Sequence, residues 1–409
     1  MTQPARHYDV VCPFCALLCD DLVVESEGSR LQVAANGCPR AAAGFGREVP
    51  ASVEPLVDGK AVSLAEAAAR ASRILRQSRL PLLAGLGTDT AGMRATLRLA
   101  EAVGGVLDHA HGAGLLANLA AMRAGGWVTA TLAEARNRPD YMLLVGGDGS
   151  AVSSRLGERV LRPPRTLDSA GPPERRIVQL GGEPSAWPGI AHVDCPADRL
   201  LASIGTLRAL VAGRRVVDSG AGPDAKLSEI AEALRTARYA LVVWTAGALP
   251  EPEATVAHLA EITKMLNAKG RAAGLPLSAP DNVIGANQVA TWQTGVPLPL
   301  GLVDGVPEHE PGRWSMAALL RRGAADALLW VASLGDLEPP DTTAPTIVLA
   351  RAGFRPRRPV EVMIPVGTPG LDQDGSLYRS DGVVALPVRR LRQPVAPSVA
   401  EVLAAIAAA

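Results

Sequence analysis

The chain has 409 residues, 48% of them hydrophobic, and its 41 basic residues balance its 41 acidic residues. This composition is ample for a globular protein with more than one core. A net charge of zero argues against binding to nucleic acid or an anionic membrane. No uncharged apolar run approaches the ~18 residues of a membrane span, and the start MTQPARHYDV lacks the apolar core of a secretory signal, so we expect a cytoplasmic protein.

Four of the five cysteines lie near the start, in VCPFCALLCDD (11–21) and NGCPRAAAGF (36–45). In a reducing compartment, clustered thiols are more often metal ligands than disulfide partners. Four thiolates at this spacing can hold a four-iron four-sulfur (4Fe-4S) cluster, and tetrahedral zinc accepts the same donors. Free, reduced thiols are the third possibility, and the residues alone leave all three open. The thiols concerned are Cys12, Cys15, Cys19 and Cys38.

An alternation of strands and helices follows the cysteines. Ser63 and Glu66 have the spacing of a capping box at the start of an amphipathic helix, and the same spacing recurs at Thr131 and Glu134 and at Ser398 and Glu401. Apolar runs that end in glycine are typical of buried parallel strands. The predicted strands are 80–87, 105–110, 141–147, 176–182, 239–247, 326–336 and 346–351, and the predicted helices between them include 91–103, 114–124 and 226–238. This pattern predicts an α/β fold.

Three segments rich in proline and glycine are predicted to be connections: 161–176, 274–313 and 350–367. The motif DHAHGAG places Asp108, His109 and His111 at a predicted strand end. Because two histidines at i and i+2 still need distant partners to bind a metal, we expect loop hydrogen bonding there.

Three segments together resemble a known family. VCPFCALLCDDLVV with NGCPRAAAGF, TLAEARNRPDYMLLVGGD, and VMIPVGTPGLDQDGSLYRSDGVVALPVRRL are similar to the molybdopterin oxidoreductase large subunits and, within them, to the B-type subunits of formylmethanofuran dehydrogenases. The resemblance extends over nearly the whole chain. It implies that Cys12, Cys15, Cys19 and Cys38 are the positions of the family's cluster ligands.

The chain departs from the redox-active members of that family at the metal and pterin positions. The resemblance places the metal-ligating cysteine at Ala130, whose methyl group cannot bind molybdenum or tungsten. Two loops that approach the pterin dinucleotide are also altered, at Asp148 and at Leu334 and Gly335. We therefore expect no molybdopterin, molybdenum or tungsten.

The chain consequently resembles the redox-dead B-type member of the formyltransferase/hydrolase complex of methylotrophic bacteria. This implies a non-redox scaffold in a complex that moves a formyl group from formyl-tetrahydromethanopterin via methylofuran to formate. It also implies three kinds of partner: an amidohydrolase-like hydrolase subunit, a formyltransferase subunit and a further small subunit. The alternatives are an active tungsten or molybdenum formylmethanofuran dehydrogenase and an iron–sulfur electron-transfer module.

The implied architecture is molybdopterin-oxidoreductase-like, with two doubly wound α/β domains, one inserted in the other. We expect a four-cysteine segment at 1–55, a discontinuous first α/β domain at 56–128 and 322–409, and an inserted Rossmann-like domain at 129–321.

Methylofuran-type carriers have glutamate-rich tails in this family, and guanidinium groups suit carboxylates. A solvated basic face or salt bridges between subunits are the alternative roles for the arginines concerned. The candidates for binding the carrier are Arg136, Arg138, Arg355, Arg357, Arg358 and Arg379.

Overall fold

A computed structural model describes residues 4–50, 53–216 and 224–409. The chain forms two compact units: the first contains the described residues up to Gly112 and from Pro280 to Ala409, and the second is Ala113–Ala279. Within the described residues, no helix is long and apolar enough to cross a membrane.

The first unit begins with a three-stranded antiparallel sheet of β1 (Ala5–Val10), β2 (Leu22–Glu27) and β3 (Arg30–Ala35), followed by helix α1 (Pro39–Phe45). In β2 the buried residues Leu22 and Val24 alternate with more exposed ones, as expected for a strand with one buried face. The sequence analysis did not predict these strands.

The main sheet of the first unit has eight strands, in the order β13-β7-β6-β14-β15-β16-β4-β5. The neighbouring strands from β7 to β16 are parallel, and the outer strands β13, β4 and β5 pair antiparallel. Their bounds are β4 (Leu56–Val57), β5 (Lys60–Ala61), β6 (Pro81–Gly87), β7 (Val106–His109), β13 (Leu300–Gly301), β14 (Ala327–Ala332), β15 (Thr346–Arg351) and β16 (Val362–Val366).

Helices cover this sheet. Leu83 of β6 and Ile364 of β16 belong to one buried cluster with residues of the helices, whereas Leu82 and Trp330 belong to a second cluster that includes Trp314. Successive strand residues therefore contribute to different cores, which explains why these strands are apolar throughout. The helices of this unit are α2 (Leu64–Gln77), α3 (Thr90–Val103), α9 (Val283–Thr294), α10 (Pro311–Trp314), α11 (Met316–Arg321) and α12 (Val399–Ala408), and a hairpin of β17 (Gly375–Tyr378) and β18 (Ala385–Val388) completes it.

The second unit has a five-stranded, all-parallel sheet in the order β10-β9-β8-β11-β12. Trp244 lies in its core, and its indole nitrogen donates to the side-chain oxygen of Asn118 at 3.0 Å. The elements are α4 (Gly112–Gly125), α5 (Leu132–Asn137), β8 (Tyr141–Val145), β9 (Arg176–Leu180), β10 (Ile190–Val193), α6 (Ala197–Val211), α7 (Asp224–Thr236), β11 (Ala240–Trp244), α8 (Pro252–Leu266) and β12 (Ala272–Pro276).

The predicted α/β class is confirmed, and the three capping boxes form at Ser63, Thr131 and Ser398. Two segments predicted to be connections contain regular structure. Val283–Thr294 is helix α9, which carries no charged residue and buries Ala286 and Val289, and Val362–Val366 is strand β16. The dense proline and glycine around both elements concealed them.

The boundaries of the two units differ from the expected domain boundaries. Ala117 and Ala121 of α4 lie in the core of the second unit, so that unit begins before residue 129. Residues 280–321 belong to the first unit because α9 packs in the core of that unit and β13 pairs with β7.

Arg392 forms a buried ion pair within the carboxyl-terminal part of the first unit and a hydrogen bond from there to the amino-terminal sheet. Arg392 Nε lies 2.7 Å from Asp372 Oδ1, and the two side chains are 6% and 2% exposed. Arg392 Nη1 also donates to the carbonyl of Ser29, in the turn between β2 and β3, at 3.1 Å.

We expect Arg392→Met to lower the free energy of unfolding by about 3–5 kcal/mol, because it leaves the Asp372 carboxylate buried without its cation. Urea unfolding of the full chain measures this loss. Arg357→Met is the matched control, since Arg357 is 87% exposed and lies 3.8 Å from Glu338; it should cost less than about 1 kcal/mol. Equal losses of unfolding free energy in the two variants would contradict the stabilising role of the Arg392–Asp372 ion pair.

Candidate functional site

The four amino-terminal cysteines lie in a short folded segment of the first unit. The backbone N–H of Cys12 donates to the carbonyl of Cys19 at 2.8 Å and closes a loop. Cys38 is the N-cap of α1, and its sulfur accepts the N–H of Ala41 at 3.4 Å. Cys12, Cys15 and Cys19 are buried, and Cys38 is partly exposed.

Ordinary side-chain packing holds this segment in place. The rings of Phe14 and Phe45 meet edge to face at 5.2 Å, and Phe14 fills the space that a Cβ at Gly44 would need. Leu18 packs with Leu334 and other residues of the first unit. The cysteine loop therefore packs through its apolar side chains against helix α1 and other parts of the first unit.

Burial disfavours the thiolate forms of these cysteines. It raises the pKa of Cys12 well above the usual value, and the neighbouring thiols add to the effect. Burial also raises the pKa of Cys15, although Arg40 opposes this. Thiolates are the forms that bind metals. Among the described residues, no three Cys, His, Asp or Glu side chains are placed to hold a metal ion. The donor types suit an iron–sulfur cluster or zinc, but their arrangement in this structure does not.

Ala130, the expected position of the lost metal ligand, lies beside strand β12 of the second unit. Thr129 forms a parallel bridge with Gly274, and the N–H of Ala130 donates to the Gly274 carbonyl at 2.9 Å. Ala130 is buried, and its methyl group offers no lone pair to a metal.

A pocket of about 390 Å³ opens where the strand order of the second unit reverses, between β8 and β11. Open α/β sheets bind ligands at the carboxyl ends of the strands at this point. Gly146 and Gly149, which follow β8, have positive φ angles of 74° and 76° that a side chain would strain. The lining residues are Val145, Gly146, Gly147, Asp148, Gly149, Ser150, Ala151, Val152, Glu183, Pro184, Ala186, Trp187, Thr245 and Ala248.

Asp148 gives this pocket a negative charge. Its carboxylate accepts hydrogen bonds from the backbone and hydroxyl of Ser150, at 2.9 and 2.6 Å, and from the hydroxyl of Ser185 at 2.6 Å. Burial alone would raise the pKa of Asp148, but these hydrogen bonds outweigh it and hold the pKa below its usual value. Glu183 is a second acid, and the residues that line the pocket include no basic side chain. Because like charges repel, the pocket is unsuited to a nucleotide phosphate.

The second altered loop follows β14 in the first unit. Leu334 is buried against Leu18, and Gly335 faces the carboxylate of Asp281, where an added Cβ would lie 2.5 Å from Oδ1. This loop therefore makes internal contacts.

Polar groups converge at the same edge of the first unit. His109 Nε2 lies 3.0 Å from the carbonyl of Asp281, and His111 Nε2 lies 3.2 Å from the Asp281 carboxylate. Asp108 accepts the N–H groups of His109 and Met316 at 2.8 and 2.7 Å. Asp108, His109 and His111 stand out in the sequence, whereas Asp281 does not, because it lies in the segment 274–313 that is rich in proline and glycine.

The candidate arginines are distributed between the two units. In the second unit, Arg136 donates to the carbonyls of Arg159 and Arg165 at 2.9 and 3.2 Å, whereas Arg138 is exposed. Arg136 therefore stabilises the segment 159–165 through these hydrogen bonds.

In the first unit, Arg357 and Arg358 line a cavity of about 440 Å³ and pair with Glu338 and Asp341 at 3.8 and 3.1 Å. Arg379 pairs with Asp20 at 3.0 Å, and Arg355 donates to the carbonyl of Phe354 at 3.1 Å.

Comparison with known proteins gives relatives along most of the chain. No protein-family model matches it. The chain is 34% identical, over 338 residues, to the B-type subunit of the formyltransferase/hydrolase complex of Methylorubrum extorquens, covering 80% of this chain and 89% of that protein. It is 27% identical, over 409 residues, to the B-type subunit of the tungsten-containing formylmethanofuran dehydrogenase 2 of Methanocaldococcus jannaschii, covering 92% and 91%.

A solved structure is also similar to this chain. It is the crystal structure of the Methylorubrum extorquens formyltransferase/hydrolase complex with methylofuran. The match has a TM-score of 0.74 and 29% identity, and covers 86% of this chain and 97% of the matched chain.

The buried neighbours Asp108 and His109 should make the free energy of unfolding depend on pH in opposite directions. Burial, with a smaller effect of His111, lowers the pKa of His109 from 6.5 to about 4. The unfolded chain therefore takes up a proton first, and this contribution to stability is lost as the pH falls from about 6.5 to about 4. Burial raises the pKa of Asp108 from 3.8 to about 7, so its contribution is lost as the pH rises through that range.

Between about pH 4 and 6.5, the contributions of His109 and Asp108 to the free energy of unfolding change in opposite directions. We therefore expect their sum to be nearly independent of pH in this range. Asp108→Asn removes one of them, and the free energy should then rise with pH by up to about 3 kcal/mol across the window. Urea unfolding at several pH values measures this slope, and the Asp108→Asn/His109→Asn double variant should lose it. If the free energy of unfolding of Asp108→Asn depends on pH as it does in the parent chain, the opposite effects assigned to Asp108 and His109 are wrong.

Proposed function

The chain belongs to the family of B-type subunits of formyltransferase/hydrolase complexes, and from this membership we propose that it is the non-redox scaffold and carrier-binding component of such a complex. The complex moves a formyl group from formyl-tetrahydromethanopterin via methylofuran to formate, in one-carbon (formaldehyde) oxidation. The partners are an amidohydrolase-like hydrolase subunit, a formyltransferase subunit and a further small subunit. The proposed location is the cytoplasm.

The observation that carries the non-redox assignment is the charge of the pocket in the second unit. A pterin dinucleotide brings phosphates, which favour basic side chains and free backbone N–H groups. Here Asp148 and Glu183 line the pocket, and Asp148 itself accepts the N–H of Ser150. Buried Ala130 supplies no metal ligand at the expected position. These features argue against a tungsten or molybdenum dehydrogenase and favour a scaffold.

The iron–sulfur electron-transfer module is supported less well than the scaffold. Its ligands would be Cys12, Cys15, Cys19 and Cys38, and among the described residues no three Cys, His, Asp or Glu side chains are placed to hold a metal ion. We propose that any metal bound by the four cysteines is structural and takes no part in the formyl reaction, because Ala130 provides no ligand for a redox metal with which a cluster would exchange electrons.

The test of the proposed function is formyl transfer by the assembled complex. Co-expression with the three partner subunits should yield a complex that releases formate from formyl-tetrahydromethanopterin with no electron acceptor present. Omission of this chain should prevent assembly or carrier retention. A strict requirement for a viologen or another electron acceptor would contradict the proposal.

Carrier binding is the more detailed part of the proposal. Arg357 and Arg358 support it best, because they are 87% and 68% exposed beside a cavity. Their partners Glu338 and Asp341 would have to yield to the carboxylates of a polyglutamate tail. Arg138 and Arg355 are exposed as well, whereas Arg136 and Arg379 are engaged within the chain.

We expect Arg357→Ala/Arg358→Ala to reduce the methylofuran retained by the purified complex at low salt, and the difference from the parent complex should shrink as salt increases, because salt screens the exposed ion pairs that the parent retains. Mass spectrometry of released carrier measures the content. Arg94→Ala/Arg98→Ala removes the same charge from the exposed side of α3 and is the control. Equal carrier content in both variants at every salt concentration would exclude these two arginines.

A further inference from the structure

The strand order of the first unit also reverses at one point. The chain passes from β6 to β7 on one side, and β14 lies on the other side of β6, so the order reverses between β6 and β14. Asp281 lies over the carboxyl ends of these two strands. A Cβ added at Gly87, the last residue of β6, would lie 3.4 Å from the Asp281 Cβ, and one at Gly335 would lie 2.5 Å from Oδ1. Parallel sheets place their ligands at this edge.

The Asp281 carboxylate orients one histidine. It is 8% exposed and lies 3.2 Å from His111 Nε2. The carboxylate of this pair must accept, so Nε2 carries the hydrogen. Nδ1 of His111 then has a lone pair in the neutral ring, and the side chain is 31% exposed. This is the arrangement of a histidine whose second nitrogen meets a ligand.

His109 holds this pair in place. It is fully buried, its Nδ1 accepts the backbone N–H of His111 at 3.0 Å, and its Nε2 donates to the carbonyl of Asp281 at 3.0 Å. The neutral ring of His109 thus holds the backbones of both His111 and Asp281. Arg47, which donates to the carbonyl of Leu334 at 3.0 Å, is a charged group close enough to interact with Asp281.

The backbone at Asp281 is strained. Asp281 and Asn282 have consecutive positive φ angles of 60° and 57°. The Asn282 side chain secures this conformation, because it accepts the N–H of Tyr378 at 3.0 Å and donates to the carbonyl of Thr88 at 2.9 Å. Such strain persists only where its surroundings impose it, and it concentrates at functional sites.

We propose that His111 and Asp281 form an oriented hydrogen-bond-accepting site for a small ligand that presents an amine or hydroxyl hydrogen to His111 Nδ1. This site goes beyond the proposed function, which assigns no role to these residues. Asp281 and His109 are positioning residues, and His111 is the group that contacts the ligand.

The test uses the full chain with its six histidines labelled with ¹³C and ¹⁵N in the ring. His111→Gln assigns the His111 signal. That signal should show the tautomer with hydrogen on Nε2, and it should shift on titration with 2-aminoethanol, which offers both an amine and a hydroxyl. His258, which lies in the second unit, should not shift. Asp281→Asn should weaken binding of 2-aminoethanol about tenfold, because the asparagine amide can donate to Nε2 and favour the tautomer with hydrogen on Nδ1, which no longer accepts a hydrogen bond from the ligand.

The proposal is overturned if 2-aminoethanol leaves the His111 signal unmoved, if it shifts all histidines alike, or if Asp281→Asn binds it as tightly as the parent chain. Melting temperatures are measured in parallel. If Asp281→Asn fails to fold, His111→Gln decides by calorimetry of 2-aminoethanol binding: lost binding in a folded chain supports the site, and retained binding overturns it.

Discussion

Strands that are buried on both faces constrain the rest of this protein. β6 and β14 in the first unit and β8 and β11 in the second are fully buried, so nearly every side chain along them must be apolar. Polar chemistry is thereby confined to the loops at the carboxyl ends of the strands. Both units have such an edge where the strand order reverses, and each edge now carries a buried or hydrogen-bonded aspartate, Asp148 or Asp281.

Each of the two altered loops contains or contacts an aspartate of its own unit. Asp148 accepts the hydrogen bonds of its own glycine loop and turns the pocket negative. Asp281 packs on Gly335 in the other altered loop and pairs with His111. In each altered loop, the carboxylate of an aspartate from the same chain contacts the loop residues. The cysteine segment is likewise held by contacts within the chain, because Phe14 and Leu18 pack against other residues of the first unit.

Much of the fold could be predicted from the sequence because its signals are local. The three capping boxes, the glycine-terminated apolar strands and the class of fold all depend on neighbouring residues. Helix α9 and strand β16 escaped prediction because prolines and glycines surround them, and the amino-terminal strands because their signal is short. The site was harder: Asp148 was identified by resemblance, but its bonds to Ser150 and Ser185 depend on loop geometry. Asp281 meets His111 only through the fold, since 170 residues separate them.

The central claim is that this chain is a scaffold without a molybdenum or tungsten pterin centre. Elemental and pterin analysis of the intact complex, purified with its partners and active in formate release, tests it most directly. We predict no pterin dinucleotide and no molybdenum or tungsten, while iron or zinc at the four cysteines would be compatible with a structural metal. One atom of tungsten or molybdenum per chain, together with pterin, would contradict it.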